Sequence, residues 1–339
     1  QFRARACARP LPPRRAAARR IGRACSGRAG RSARANIGTP RGGALSVAAL
    51  HTEALLLRSA DFGESDRMLH LLTPATGRLT AVAKGARRSV KRFGGNLDFF
   101  NHLRVQLDRR RPGAPARLDH ARLLRAFHGL RGNARRFGLS CYLLELLDRL
   151  APEGGAAADC AGLFAFAIGA LERVNADPPD LRLRVLLELR SLDRLGLRPE
   201  LARCVRCGGG VEQRPEGVLF HIAEGGPLCF RCTARPAEGG AARPAGGGLR
   251  VQLGTLRALQ ASLGFRLDRL GRIGLGPAAL REAAELLHRF LRFHIGVELK
   301  SERVLAQLAP PTAQLAPRGA RGGGPRRGVA PVAGAARRG

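Results

Sequence analysis

The spacing of apolar positions changes character along the chain, and the change divides it. From Val47 to about Leu124 the apolar runs are short. Glu53 to Arg58 and Arg67 to Thr73 have strand length, Pro74-Ala75-Thr76-Gly77 is a turn, and Arg78 to Ala83 completes a predicted hairpin. Two further strands are predicted at Phe99 to Leu107 and Arg117 to Leu123, separated by the turn residues Pro112, Gly113 and Pro115. Five short strands in about 80 residues point to a small barrel of the OB type.

After Phe127 the period becomes helical. Leu139, Leu143, Leu146 and Leu150 share one face, Leu163, Phe166, Ala170 and Val174 a second, and Val185, Leu189 and Leu192 a third that stops at Gly196. Near the end Pro277 suits a first helical position, and Leu280, Ala284, Leu287, Leu291 and Ile295 form one long amphipathic stripe. Residues 234–250, rich in Gly, Ala and Pro, read as a loose connection. The fold class that follows is α+β, a five-stranded OB barrel over 47–126 followed by a helical domain over 127–308. Residues 1–46 and 309–339 lack apolar periodicity and read as disordered tails. The first tail is also compatible with a targeting segment or with translated upstream sequence, since the one Met is Met68.

Charge sharpens this picture. The 339 residues carry a formal net charge of +33, with 12 Arg and no acid in residues 1–46 and six Arg and no acid in residues 309–339, which leaves the segment between them at +15. That surplus favours nucleic acid or anionic surfaces and excludes an ordinary acidic enzyme. Only Lys84, Lys91 and Lys300 are lysines, so a compositional bias toward Arg accounts for part of it. The longest stretch without a charge, Val304 to Pro317, contains three prolines, and no transmembrane helix is expected.

Two features carry chemistry. Cys204-Val205-Arg206-Cys207 and Cys229-Phe230-Arg231-Cys232 form two Cys-x-x-Cys knuckles with 21 residues between them. Two-residue spacing lets both thiolates of a knuckle reach one ion, and four sulfurs complete the tetrahedral set of a structural zinc site at 204–232, with no open position for water. Gly208 and Gly209 allow the turn after the first knuckle, and Val218 to Ile222 is a candidate strand between them. The rival reading, two redox disulfides, would need a βαβ context that the flanking residues do not provide. Cys7 and Cys25 lie in the first tail, whereas Cys141 and Cys160 fall on helical patterns as buried thiols. The second feature is the acid-free loop from Lys84 to Asn96, in which Lys84, Arg87, Arg88, Lys91 and Arg92 can track a DNA backbone. Phe93, Phe99 and Phe100 are the rings available for stacking, unless Phe99 and Phe100 are core. A second candidate DNA cluster is Arg109, Arg110 and Arg111. No phosphate-binding loop, His-Glu-x-x-His or Gly-x-Ser-x-Gly pattern occurs, the His residues show no ligand spacing, and no catalytic residue is nominated.

Several runs together resemble the bacterial DNA repair and recombination mediator family RecO. They are Gly63-Glu64-Ser65-Asp66, Leu71-Leu72-Thr73-Pro74, Gly77-Arg78-Leu79, Ala83-Lys84-Gly85-Ala86-Arg87-Arg88, Tyr142 to Leu147, Leu195-Gly196-Leu197-Arg198-Pro199 and Leu299-Lys300-Ser301-Glu302-Arg303. The resemblance covers about residues 47–308. It implies an OB-fold, a helical C-terminal domain and, in many members, a four-cysteine zinc site. It also implies binding of single- and double-stranded DNA, annealing of complementary strands, contact with the single-stranded-DNA-binding protein (SSB), and action with RecR to load RecA in the bacterial cytoplasm at the nucleoid. No nucleotide hydrolysis, small-molecule substrate or membrane is implied. Two other readings stay open, a zinc-ribbon transcription or translation factor and a structural adaptor.

Overall fold

A computed structural model of the chain describes residues 49–109, 114–234, 247–296 and 299–308. The two tail expectations, and those placed on Arg110 and Arg111, lie outside the described residues.

From Gly77 to Ala83 buried and half-buried positions alternate without a break, and from Asn101 to Asp108 every second residue is buried. This period of two puts Leu79, Ala81, Leu103, Val105 and Leu107 on one side of a curved sheet. The strands are β1 (Leu50–Phe62), β2 (Asp66–Thr73), β3 (Gly77–Ala83), β4 (Asn101–Asp108) and β5 (Ala116–Ala126), and they close into a barrel in the order β1-β2-β3-β5-β4. All neighbours are antiparallel except β3 and β5, which meet in parallel at Ala81↔Ala116 and Val82↔Arg117. A single turn of helix, α1 (Val90–Phe93), lies between β3 and β4 and inserts Phe93 into the barrel core.

The fourth strand begins at Asn101, two residues later than the apolar pattern suggests. Phe100 adopts φ 65°, a costly conformation for a side chain of this size, and its ring is fully buried edge-on to Phe137 at 5.3 Å. Burying the ring offsets the backbone cost.

The helical part runs through α2 (His128–Arg131), α3 (Ala134–Leu150), α4 (Ala157–Ala176) and α5 (Leu181–Arg194). Capping explains where these helices start and stop. Asn133 Oδ1 accepts from the N–H groups of Arg135 and Arg136, and Asp180 Oδ1 accepts from Leu183 N–H. At the end of α5, Gly196 takes φ 71° and Leu197 N–H reaches back to Leu192 O at 2.8 Å, which closes the helix. A small sheet with the order β7-β6-β8 follows, built from β6 (Val218–His221), β7 (Gly226–Pro227) and β8 (Gly248–Val251), with α6 (Phe230–Ala234) between the last two. The chain then forms α7 (Leu253–Ser262), a 3₁₀ turn at Leu267–Arg272, α8 (Pro277–Ile295) with Pro277 in its first turn, and α9 (Lys300–Gln307).

Part of the stretch expected to be a loose connection is a strand. Residues 248–251 pair with β6, and a Cβ added at Gly248 would sit 2.3 Å from Leu219 Cδ1, so glycine there permits close strand pairing. Helices α7 and α9 are additions to the sequence reading.

The helical core does not stop at the helices. It takes in Leu55, Leu57 and Leu72, which point outward from the barrel, together with Tyr142, Leu146 and Phe164. At its far side Glu188 is only 2% exposed, and its carboxylate lies 3.6 Å from Arg184. The Arg184 guanidinium also pairs with Glu302 of α9 at 2.9 Å and stacks over the Tyr142 ring. The Glu145 carboxylate caps α9, accepting from Lys300 N–H at 3.0 Å and Ser301 N–H at 2.8 Å. Burial pushes the Glu188 carboxyl up to about 7 against the pull of Arg184, and one of its oxygens has no hydrogen-bond partner.

A carboxyl raised in the folded state binds its proton more tightly there than in the unfolded chain. Its contribution to stability is therefore full below the ordinary carboxylate range and is lost as pH rises to about 7. Glu188→Gln is expected to raise the melting temperature at pH 8 by a few degrees, at about 2–4 °C per kcal/mol relieved, with the gain shrinking toward pH 5. A difference independent of pH in thermal scans would show that the carboxylate is not strained.

Candidate nucleic-acid interface and metal centre

The cationic loop expected between Lys84 and Asn96 follows β3 directly, and it is folded back on the barrel. Gly85 takes φ 64° and its N–H donates to Asp66 Oδ1 at 2.7 Å, while Arg87 N–H donates to Ser65 O at 3.0 Å. These bonds brace the loop on the turn between β1 and β2. Lys84, Arg87, Arg88 and Lys91 are left exposed. Arg92 is half-buried, donates to Lys84 O and Ser89 Oγ, and stacks over Phe93. It serves the loop's shape as well as its charge.

The expected stacking platform is not formed by these rings. Phe93 is 1% exposed inside the barrel and Phe100 is wholly buried, which leaves only Phe99 half-exposed. In a chain with 4% aromatics, large rings contribute more by filling cores.

Residues that the sequence did not single out lie beside the loop. A cleft of 390 Å³ separates α1 from the β4–β5 hairpin, with Lys91 and Arg92 on one wall and Arg104, Arg122, His51 and His120 on the sheet. Arg109 is exposed after β4 and is not part of this cleft. The period-two alternation of β4 could have marked Arg104 as outward-facing, but its pairing with β5 could not be read from the sequence.

The outer face of β2 and β3 is partly occupied by the helices. His70 Nδ1 lies 2.6 Å from Asp148 Oδ1. Arg78 donates to Ala151 O at 3.3 Å and Glu153 Oε1 at 2.8 Å, and its guanidinium lies 3.8 Å from Asp148. The His102 ring packs against Phe164 and meets Glu53 Oε2 at 2.8 Å.

The four knuckle cysteines come together, with all sulfurs within 4.8 Å of one another and Cys207 and Cys229 3.6 Å apart. A tetrahedral ion with bonds of about 2.3 Å holds its sulfurs about 3.8 Å apart, so the set fits a metal. The first knuckle turns on Gly208, at φ 70°, with Cys204 N–H bonded to Gly209 O and Gly208 N–H to Cys204 O. Val205 N–H donates to Pro227 O, which ties it to β7. The second knuckle opens α6, and Arg206 anchors it by donating to Cys232 O while paired with Glu224.

Burial would raise the Cys204 thiol, but backbone N–H groups of Cys229, Cys207 and Arg206 outweigh it and bring it down to about 6. Cys232 is pushed up to about 12, chiefly by its hydrogen bond with Cys229. One thiolate thus forms readily while Cys232 resists a second charge, a balance that a bound cation reverses. Of the other thiols, Cys160 is buried, and Cys141 is half-buried with its thiol pushed up to about 11 by burial. His294 is exposed, with Nε2 donating to Ile222 O at 3.0 Å. Among the described residues no helix is long and apolar enough to cross a membrane.

Comparison with known proteins agrees over the same span. The family model "Recombination protein O N terminal" matches residues 47–127, and "Recombination protein O C terminal" matches residues 131–303. The DNA repair protein RecO of Anaeromyxobacter sp. (strain K) is 35% identical over 256 residues, covering 76% of this chain and 95% of that protein. That of Myxococcus xanthus (strain DK1622) is 34% identical over 256 residues, covering 76% and 96%. That of Symbiobacterium thermophilum is 31% identical over 262 residues, covering 77% and 98%.

A closed four-sulfur site joins two segments of chain that the unfolded state does not hold together, so metal affinity becomes folding stability. Cys204→Ser is expected to reduce bound metal from one ion per chain to a small fraction and to lower the melting temperature by several degrees, and a strong chelator should do the same to the wild type. Elemental analysis and thermal scans check both.

Proposed function

The chain belongs to the recombination protein O family, whose role is in DNA repair and recombination, and from that premise we propose that it is a recombination mediator. In this reading it binds single- and double-stranded DNA, anneals complementary strands, contacts the single-stranded-DNA-binding protein, and acts with RecR to help load RecA onto coated DNA at the nucleoid. The observation that carries the DNA-binding step is the braced loop with Lys84, Arg87, Arg88 and Lys91 exposed on it. Arg92 holds that loop and contributes charge at its edge, and Arg109 is a weaker contact outside it. Cations fixed on a rigid frame bind phosphates with less ordering cost than a free chain, and each neutralised phosphate releases counterions.

The metal that Cys204, Cys207, Cys229 and Cys232 would hold is assigned as zinc, on the chemistry of four thiolate donors, with a structural role. No side chain of the knuckles or the loop is given a catalytic part. Annealing requires only that repulsion between two polyanions be lowered while bases stay accessible, which bound positive charge accomplishes without hydrolysis.

Fluorescence-detected annealing of two labelled complementary oligonucleotides tests the reading. The full chain is expected to accelerate the reaction at low salt without ATP, with an effect that fades as salt rises. Lys84→Glu, Arg87→Glu, Arg88→Glu and Lys91→Glu together should remove most of the acceleration while the chain stays folded. A wild-type rate equal to the protein-free control, or one that depends on ATP, would falsify the reading.

A further inference from the structure

Resting on the DNA-binding reading, the geometry points to a division of labour on the barrel. We propose that the cleft between α1 and the β4–β5 hairpin is a site for the sugar–phosphate backbone of a single strand, distinct from the exposed start of the loop, Lys84, Arg87 and Arg88, which favours duplex.

The sheet register supplies the first argument. His51 pairs with Gln106 and Gln106 with His120, while Glu53 pairs with Arg104 and Arg104 with Arg122. The two rows point to the same outer face and are two residues apart along each strand, about 6.6 Å. That step is comparable to the spacing of successive phosphates in an extended strand.

The second argument is energetic. Arg104 and Arg122 are directly opposite across β4 and β5, and like charges in that position are destabilising. Arg104 has partial relief from Glu53 at 3.8 Å, but among the described residues no carboxylate is paired with Arg122. Lys91 and Arg92 add two more cations from the facing wall, and no acid lines the cleft. A fold that gathers four cations around a recess with Glu53 beside one of them is preorganised for an anion, and a phosphate placed between Arg104 and Arg122 turns their repulsion into attraction.

The third argument is shape. A duplex carries its phosphates on a stiff rod and reaches exposed surface, which is where Lys84, Arg87 and Arg88 stand. A single strand is flexible enough to enter a recess of 390 Å³, and the Gln106 amide lining it can meet base edges of any sequence. The neighbouring face of β2 and β3 is obstructed by Asp148, Ala151 and Glu153 against His70 and Arg78. The open path is therefore across the part of β4 and β5 that carries Arg104 and Arg122, beyond the end where His102 and Arg125 meet α4.

The test is fluorescence anisotropy on the full chain with two probes, a labelled oligothymidylate and a labelled duplex of equal length, over a series of salt concentrations. In the Arg104→Ala, Arg122→Ala double variant, single-strand affinity is expected to fall at least fivefold and the single-strand salt slope to flatten by about 1.4, for two phosphate contacts. Duplex affinity should change less than twofold. Arg87→Ala with Arg88→Ala should give the opposite pattern. Removing a repulsive pair keeps or raises the melting temperature, and Arg122→Gln, which leaves the Arg104–Glu53 contact in place, provides a second variant with the same expected selectivity at half the effect. Equal losses on both probes, or no loss on the single strand, would overturn the inference while leaving DNA binding itself intact. A wild-type chain that binds neither probe overturns both readings.

Discussion

The barrel has two apolar sides, and the rest of the architecture follows from that. Along β1 and β2, Leu56, Leu69 and Leu71 fill the interior while Leu55, Leu57 and Leu72 point outward. An exposed apolar face of that kind has to be covered. Helices α3 and α4 cover it, and the polar groups at the seam are matched as they are buried, His70 and Arg78 against Asp148 and the carbonyl of Ala151. Gly77 makes this approach possible, because a Cβ there would meet Pro152 O at 3.0 Å and Cys160 Sγ at 3.2 Å. Covering one face determines which face stays open, and the cationic cleft and loop lie on the open side.

The surplus of arginine has two destinations. Part of it is structural. Arg78 joins barrel to helices, Arg92 shapes the loop, Arg131 holds the turn before β4 through Asp98 and Phe99 O, and Arg184 neutralises two carboxylates beside Tyr142. A second part, Arg87, Arg88, Arg104 and Arg122, lies with Lys84 and Lys91 around one region of the barrel. A compositional bias toward arginine and a functional surface are therefore compatible.

Local pattern made much of this legible. Short apolar runs bounded by turns located all five barrel strands, helical faces located α3, α4, α5 and α8, and the cysteine spacing located the four sulfurs that the fold gathers into one cluster able to hold a metal. What was hidden depends on partners distant in sequence. Asp148 acquires its role only from His70 on another element, and the repulsion between Arg104 and Arg122 exists only once β4 and β5 are in register. Gly248 reads as a linker residue until Leu219 is seen above it. Phe93 and Phe100 sit among cations in the sequence and suggest stacking, whereas in the fold their apolar area is worth more inside.

The central claim is that helix docking leaves β4 and β5 as the path for a single strand. Hydrogen–deuterium exchange of the full chain with and without saturating oligothymidylate tests it most directly, since it locates contact without altering a residue. Slower exchange on binding is expected in peptides covering 91–96, 101–108 and 116–126, with 66–73 unchanged. Protection confined to 66–73, with β4 and β5 exchanging as in the free chain, would contradict it.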